Sequence, residues 1–333
     1  MPELINDRAT GRFPSQPLVS IVTPAFNAAT YLPDTVKSCL AQTYKAFELL
    51  IVDDGSTDAT ASIAEQFASS DHRVRVFKGT NRGVSAARNI ALAHASGDFI
   101  ALLDSDDIWM PTYLADQLAT LAKWPTADVV TANAVNLGGH LDGMPYWPAS
   151  TDVRPLTIVE MITREDAVCI MSVFRRAVID RVSGFDERLS GNEDYYLWMR
   201  AAMADCGFVA DFTPRAYYRR RPGSLSTDAR RMLRGIITVL NELRPLSPDP
   251  EVAAAIDAQV KRFSRELLLA EAKHCLAGGT PRRALEYLKQ IPAGDRPRGL
   301  SVALILATFW PSLLSGAYRM KQALPSGTSA ASR

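Results

Sequence analysis

The sequence predicts an α/β fold, in which a mostly parallel central sheet is flanked by helices and followed by a helical C-terminal appendage. Short apolar runs of strand length alternate with segments of helical spacing, the order expected of strand–helix–strand units. The runs are apolar at successive positions rather than at every second one, which marks strands buried on both faces. Three of them end in polar or acidic residues, at the carboxyl edge where an open parallel sheet binds its ligands.

The elements follow in chain order. Residues 18–23 form the first apolar run, and 31–41 carry helical spacing. A second strand is predicted over 47–52, with a helix from about 58 to 69. A third short strand covers 74–77, a helix 84–95 and a fourth strand 99–103. Residues 109–226 mix strands and helices and are rich in aromatics and arginine. The proline-rich stretch 245–250 reads as a linker and 251–290 as strongly helical. Within it, 270–290 has the pattern of a helical hairpin turning at Gly278 and Gly279. One such unit is not a repeat array, so its faint likeness to a tetratricopeptide carries little weight. The expected organisation is a leader over 1–17, one domain over 18–244 with halves 18–108 and 109–244, and a helical region over 245–333.

Bulk composition excludes several classes. Lys and Arg number 37 against 36 Asp and Glu, so no broad basic field favours nucleic acid. Cys39, Cys169, Cys206 and Cys275 form no CxxC pair and read as buried, reduced thiols. Residues 1–16 hold no apolar run, so no signal peptide is expected and the expected location is the cytoplasm. Residues 299–318 carry no charge and are long enough to span a bilayer, yet Pro311 interrupts them and Ser301, Thr308, Ser312, Ser315 and Arg319 share one helical face. Three readings stay open there: packing on the protein or a partner, lying peripherally on the inner face of a membrane, or spanning it.

The strand ends carry the chemistry. The first ends in Thr23-Pro24-Ala25-Phe26-Asn27, the second in Asp53-Asp54-Gly55-Ser56-Thr57-Asp58, and the fourth in Asp104-Ser105-Asp106-Asp107. Two carboxylates one residue apart, on a turn leaving a buried strand, can converge on one hard cation such as Mg²⁺ or Mn²⁺. The alternative is a solvated acidic turn. Asp53 or Asp54 can accept hydrogen bonds from a ribose hydroxyl or a base N–H, while Ser56, Thr57 and Asp58 can cap the next helix. A nicotinamide or flavin site needs a glycine-rich turn after strand one, and Pro24-Ala25-Phe26-Asn27 is not one. Arg82 and Arg88 flank the start of a helix, where free amides suit an anion. Glu193 and Asp194 open an aromatic helix, where they serve either the helix dipole or as a general base.

Together these segments resemble the family 2 inverting glycosyltransferases of GT-A fold. The resemblance runs from about residue 17 to 226 and includes Asn81-Arg82-Gly83, Ala87-Arg88-Asn89, Gly184-Phe185-Asp186-Glu187 and Glu193-Asp194. It implies a nucleotide-sugar donor, with a UDP-sugar expected, and a glycan or lipid-linked saccharide acceptor. It implies that Thr23, Pro24, Ala25, Phe26, Asp53 and Asp54 line the nucleotide pocket, with Arg82 and Arg88 near the base or phosphates. Asp104 and Ser105 would meet the donor sugar or ribose. Asp106, with Asp104, would hold a divalent metal, Mn²⁺ or Mg²⁺. Asp194 would be the catalytic base, supported by Glu193. Two departures stand out. Phe26 falls where members often have tyrosine. Arg221 falls where members often have a histidine, in Tyr218-Arg219-Arg220-Arg221-Pro222-Gly223-Ser224-Leu225-Ser226. A guanidinium has no lone pair for a metal but grips phosphate oxygens, so Arg221, with Arg219, is expected to clamp the diphosphate. The rival readings are a sugar nucleotidyltransferase and a binding module without turnover.

Overall fold

The computed structural model describes residues 16–221, 228–247 and 249–293. Most of the leader assigned to 1–17, and all of 299–318, lie outside these residues.

One nine-stranded sheet organises residues 19–219. Strand β1 (Val19–Ala25) pairs in parallel with β2 (Phe47–Asp53) on one side and β4 (Phe99–Leu102) on the other. Strand β3 (Val74–Lys78) joins β2, also in parallel. All seven residues of β1 and all seven of β2 are buried, the pattern their mostly apolar sequences predict. The antiparallel pairings lie in the second half. There β8 (Ser172–Arg175) runs antiparallel between β4 and β6 (Val129–Leu137). Strand β9 (Phe208–Arg219) then runs parallel to β6 and takes β5 (Ile108–Trp109) and β7 (Val153–Leu156) as antiparallel partners. The sheet is therefore mixed, with a wholly parallel first half. Its order, β3-β2-β1-β4-β8-β6-β9-β5, reverses direction at β1/β4. A crevice at the carboxyl ends of β1 and β4 is the place such a reversal creates.

Helices cover the sheet. They are α1 (Leu32–Leu40), α2 (Thr60–Ser70), α3 (Val84–His94), α4 (Tyr113–Lys123), α5 (Ile158–Thr163), α6 (Ala177–Val182) and α7 (Glu193–Met203). Polar residues inside the sheet are satisfied locally. Glu48 of β2 accepts hydrogen bonds from Ser20 Oγ at 2.7 Å, from Ser96 N and Oγ at 2.7 Å, and from Arg75 Nη1 at 2.8 Å. Burial opposes the charge, but these donors hold its pKa below the usual value. The four cysteines are buried free thiols.

The described residues form two compact units. The sheet and α1–α7 lie in the first, together with 242–256. The second contains 228–241 and 257–293, from α8 (Ala229–Leu243), α9 (Pro250–Ala277) and α10 (Pro281–Lys289). Within it Arg230 and Arg234 pair with Glu271, and Ala272, Cys275, Leu276, Ala284, Leu288 and Ile291 form a small core. The hairpin turns at Gly278 and Gly279, as the glycine pair predicts, with Gly279 at φ +73°. Among the described residues, no helix is long and apolar enough to cross a membrane.

Candidate active site

The ends of β1, β2 and β4 converge with the start of α7 and the end of β9. Parallel pairing sets Ala25 beside Asp53, and Asp54 N donates to Ala25 O at 2.8 Å. Two buried polar atoms at these strand ends, Thr23 Oγ1 and Asp53 Oδ1, have no hydrogen-bond partner among the described residues. Such groups need a partner that the described residues do not supply. Phe26, next in line, is 44% exposed.

Asp54 behaves differently from its neighbour. Its carboxylate accepts Arg82 N at 3.1 Å and Gly83 N at 2.7 Å. The start of α3 does bind an anion, as its free amides predict, but that anion is this side chain. The amides of Arg82 and Gly83 are therefore not open to a phosphate. Gly79 leaves room for the arrangement: a Cβ there would stand 2.5 Å from Asp54 Oδ1 and 3.0 Å from Asp54 Cα. Gly79→Ala should cost about 1–3 kcal/mol by overpacking, read as a lower urea midpoint. An unchanged midpoint would show that Asp54 moves aside freely.

The two arginines of this helix separate in role. Arg82 is exposed and pairs with Glu187. Arg88 is 3% exposed and bridges two acids, donating Nη2 to Asp104 at 2.7 Å and Nη1 to Glu193 at 2.6 Å. It therefore ties the edge of β4 to the first turn of α7. Asn89, one position on, staples the loop before α7. Its Oδ1 accepts Phe185 N at 2.9 Å and its Nδ2 donates to Phe185 O at 2.9 Å. Gly184, at φ +79°, brings that loop close enough that a Cβ would stand 2.8 Å from Asn89 Oδ1.

Asp194 sits beside this bridge. Its position in the first helical turn favours the ionised form. Burial, with the Glu193 charge, nevertheless raises its pKa to about 6, against the lowering effect of Arg88. A carboxyl poised near neutrality suits general-base work.

The 104–107 turn faces the end of β9. Thr35 Oγ1 donates to Ser105 O at 3.0 Å and to Asp107 O at 2.8 Å. Arg219 N donates to Asp107 Oδ1 at 2.7 Å, and Arg219 Nε to Asp106 O at 2.8 Å. Arg221 Nε donates to Asp106 Oδ2 at 2.5 Å. Successive side chains leave a strand on opposite faces. Arg219 and Arg221 accordingly share one side, each over the Tyr31 ring at 5.0 and 5.5 Å, while Arg220 turns to Tyr146 and Tyr218. Tyr31 and Asp34, which pairs with Arg219, were not singled out from sequence. They precede and open an ordinary amphipathic helix, and only the fold brings β9 to them.

No cluster of three or more His, Cys, Asp or Glu side chains that could hold a metal occurs among the described residues. Asp104 and Asp106 nonetheless fit a hard divalent cation that completes its shell with phosphate oxygens. Burial, and next the Asp104 charge, push the pKa of Asp106 up. A cation between the two carboxylates would relieve that repulsion.

Comparison with known proteins identifies the family and the fold. The family model for glycosyl transferase family 2 matches residues 20–183. A putative teichuronic acid biosynthesis glycosyltransferase of Bacillus subtilis is 46% identical over 154 residues, 44% of this chain and 61% of that protein. The UDP-Glc:alpha-D-GlcNAc-diphosphoundecaprenol beta-1,3-glucosyltransferase of Escherichia coli is 30% identical over 63% of this chain and 80% of its own. The chain spans less than two thirds of several curated relatives, including 42% of a Haemophilus influenzae glycosyltransferase and 50% of one from Streptococcus pneumoniae. Among solved structures, S. aureus TarS 1–349 with UDP-GlcNAc superposes at TM-score 0.61 and 19% identity, over 91% of this chain and 92% of that one. A Pyrobaculum calidifontis mannosyltransferase with GDP-Man and Mn²⁺ gives 0.59 at 18% identity, over 92% and 86%. These two likenesses establish the GT-A fold. With strand-end motifs gathered at one crevice, a family match over residues 20–183 and a 30%-identical relative covered over 80% of its length, the chain belongs to glycosyl transferase family 2.

Proposed function

We propose that the protein is an inverting glycosyltransferase that moves a sugar from a UDP-sugar to a hydroxyl of a glycan or lipid-linked saccharide. The Arg88 bridge carries this reading: one buried guanidinium joins Asp104, at the donor strands, to Glu193, beside the raised-pKa carboxyl of Asp194. UDP-GlcNAc in TarS and the UDP-Glc donor named for the E. coli relative favour a UDP-sugar. That relative's diphosphoundecaprenol substrate favours a lipid-linked acceptor, which would bring the protein to the inner face of a membrane.

In this reading the nucleotide lies along Thr23, Pro24, Ala25, Phe26 and Asp53. Thr23 Oγ1 and Asp53 Oδ1 meet its hydroxyl and N–H groups, and Asp54 holds the wall of the pocket. Asp104 and Ser105 face the donor sugar or ribose. Asp194 removes the acceptor proton as that oxygen attacks the anomeric carbon, from the face opposite the diphosphate. The carbon–oxygen bond to the diphosphate breaks with its electron pair leaving on UDP, so configuration inverts. Arg219 and Arg221 take up the charge that develops on the departing diphosphate. A divalent cation, when bound, would be held by Asp106 with Asp104 and would offset charge on the same phosphates; the Mn²⁺ in the Pyrobaculum enzyme supports this.

Binding tests the reading first. A bound ligand at 100 times its Kd adds about 2.7 kcal/mol of apparent stability, so UDP-sugars should raise Tm while GDP-sugars and nucleoside triphosphates should not. A shift with triphosphates alone would favour a nucleotidyltransferase. The clamp is tested separately. Arg221→Ala should weaken UDP binding by about 10–100-fold and UMP binding much less. Equal losses for the two nucleotides would remove Arg221 from the diphosphate.

A further inference from the structure

Arg221 contacts the carboxylate to which the proposed function assigns the divalent cation. Its Nε donates to Asp106 Oδ2 at 2.5 Å, and its guanidinium lies over the Tyr31 ring. The Arg221 side chain is 32% exposed and that of Asp106 16%, so the pair is partly shielded from water. Both guanidinium-terminal nitrogens make no hydrogen bond to any described residue. The fork is thus half used: one edge holds Asp106, and the remaining N–H groups can grip phosphate. Arg219 is fixed more firmly, with Nε on the Asp106 carbonyl and its backbone N on Asp107. That leaves Arg221 as the member of the pair whose contacts can change.

We propose that Arg221 competes with the divalent cation for Asp106, and that the donor diphosphate settles the competition by drawing Arg221 away. A guanidinium held on Asp106 Oδ2 occupies one of its acceptor sites and repels a divalent cation approaching the same carboxylate. When phosphate oxygens arrive, Arg221 gains a bidentate partner and Asp106 regains both its oxygens for the cation. Cation and nucleotide then bind cooperatively. Reciprocity requires that each tightens the other by the same factor. A histidine at this position would instead add a ligand to the cation, so the arginine makes cation binding depend on the nucleotide. The inference rests on the donor site proposed above.

The test is Mn²⁺ binding to the full-length protein without nucleotide, followed by electron paramagnetic resonance of free Mn²⁺, for wild type, Arg221→Ala and Arg221→Gln. UDP binding is measured alongside, in EDTA and in Mn²⁺. Both variants should bind Mn²⁺ alone about tenfold more tightly than wild type, about 1.4 kcal/mol. Both should bind UDP in EDTA more weakly, and the factor by which UDP tightens Mn²⁺ should shrink. Gln keeps the stem through Cδ and removes the charged guanidinium, so agreement between the variants assigns the effect to the lost charge rather than to the stem. Equal or weaker Mn²⁺ affinity in the variants overturns the competition while leaving UDP binding, and with it the donor site, intact. Loss of UDP binding by the wild-type protein in both EDTA and Mn²⁺ overturns the donor site and the competition together.

Discussion

Asp194→Asn should leave a folded protein that binds UDP normally and turns over about 10²–10⁴-fold more slowly, the scale of a general base. Asn is nearly isosteric and keeps an oxygen for the Tyr195 N–H, which Asp194 Oδ1 accepts at 2.8 Å. It cannot take a proton from an acceptor hydroxyl. The pH dependence follows from the raised pKa of about 6. Activity needs the ionised carboxylate, so wild-type kcat/KM should fall as pH drops through about 6, and this limb should vanish in the residual activity of the variant. Stability runs the other way. A carboxyl whose folded pKa exceeds its unfolded value favours folding most when protonated. That contribution is complete below about pH 4 and is lost as pH rises through about 6. At pH 8 the Asn variant should therefore match or exceed wild type, by at most about 3 kcal/mol before allowing for solvent at this partly exposed side chain. Near-normal turnover in a folded variant would move the base to Glu193.

Arg88→Met should be the most destabilising single change in the site. Removing one partner of a buried charge network leaves the others uncompensated, which costs about 3–5 kcal/mol. Arg88 serves two partners, Asp104 and Glu193, whose side chains are 31% and 9% exposed. Glu193 bears the larger penalty because it is the more buried. Arg88 also lowers the pKa of Asp194. In a variant that still folds, the acid limb of the rate profile should move to higher pH. A urea midpoint implying less than about 1 kcal/mol of destabilisation would show that the bridge is dispensable.

Three strands of the parallel half, β1, β2 and β4, were legible because burial on both faces writes itself into sequence, whereas β3 at the edge is buried only at Val74. The runs at 18–23, 47–52, 74–77 and 99–103 anticipate β1–β4 within two residues at each end. Strand β5 is two residues long and exists through its pairing with β9, so no local pattern announces it. The carboxylates of the crevice were legible for a similar reason, since polar residues ending apolar strands have few structural uses. The arginines were harder. Arg88 reads like any helical arginine, and its partner Glu193 lies 105 residues away. Asp54 looks equivalent to Asp53 in sequence, yet one caps the turn before α3 and the other keeps an unpartnered oxygen. Only the three-dimensional placement of Arg82 and Gly83 separates them.

The central claim is transfer from a UDP-sugar by Asp194. It is tested most directly by following UDP release from a panel of UDP-sugars with Mn²⁺ and a lipid-linked saccharide acceptor, for wild type and Asp194→Asn. The account predicts UDP release from at least one donor by the wild type, no pyrophosphate from a sugar phosphate with UTP, and about 10²-fold or greater loss in the variant. Pyrophosphate formation by the wild type, or equal UDP release by the two proteins, would contradict it.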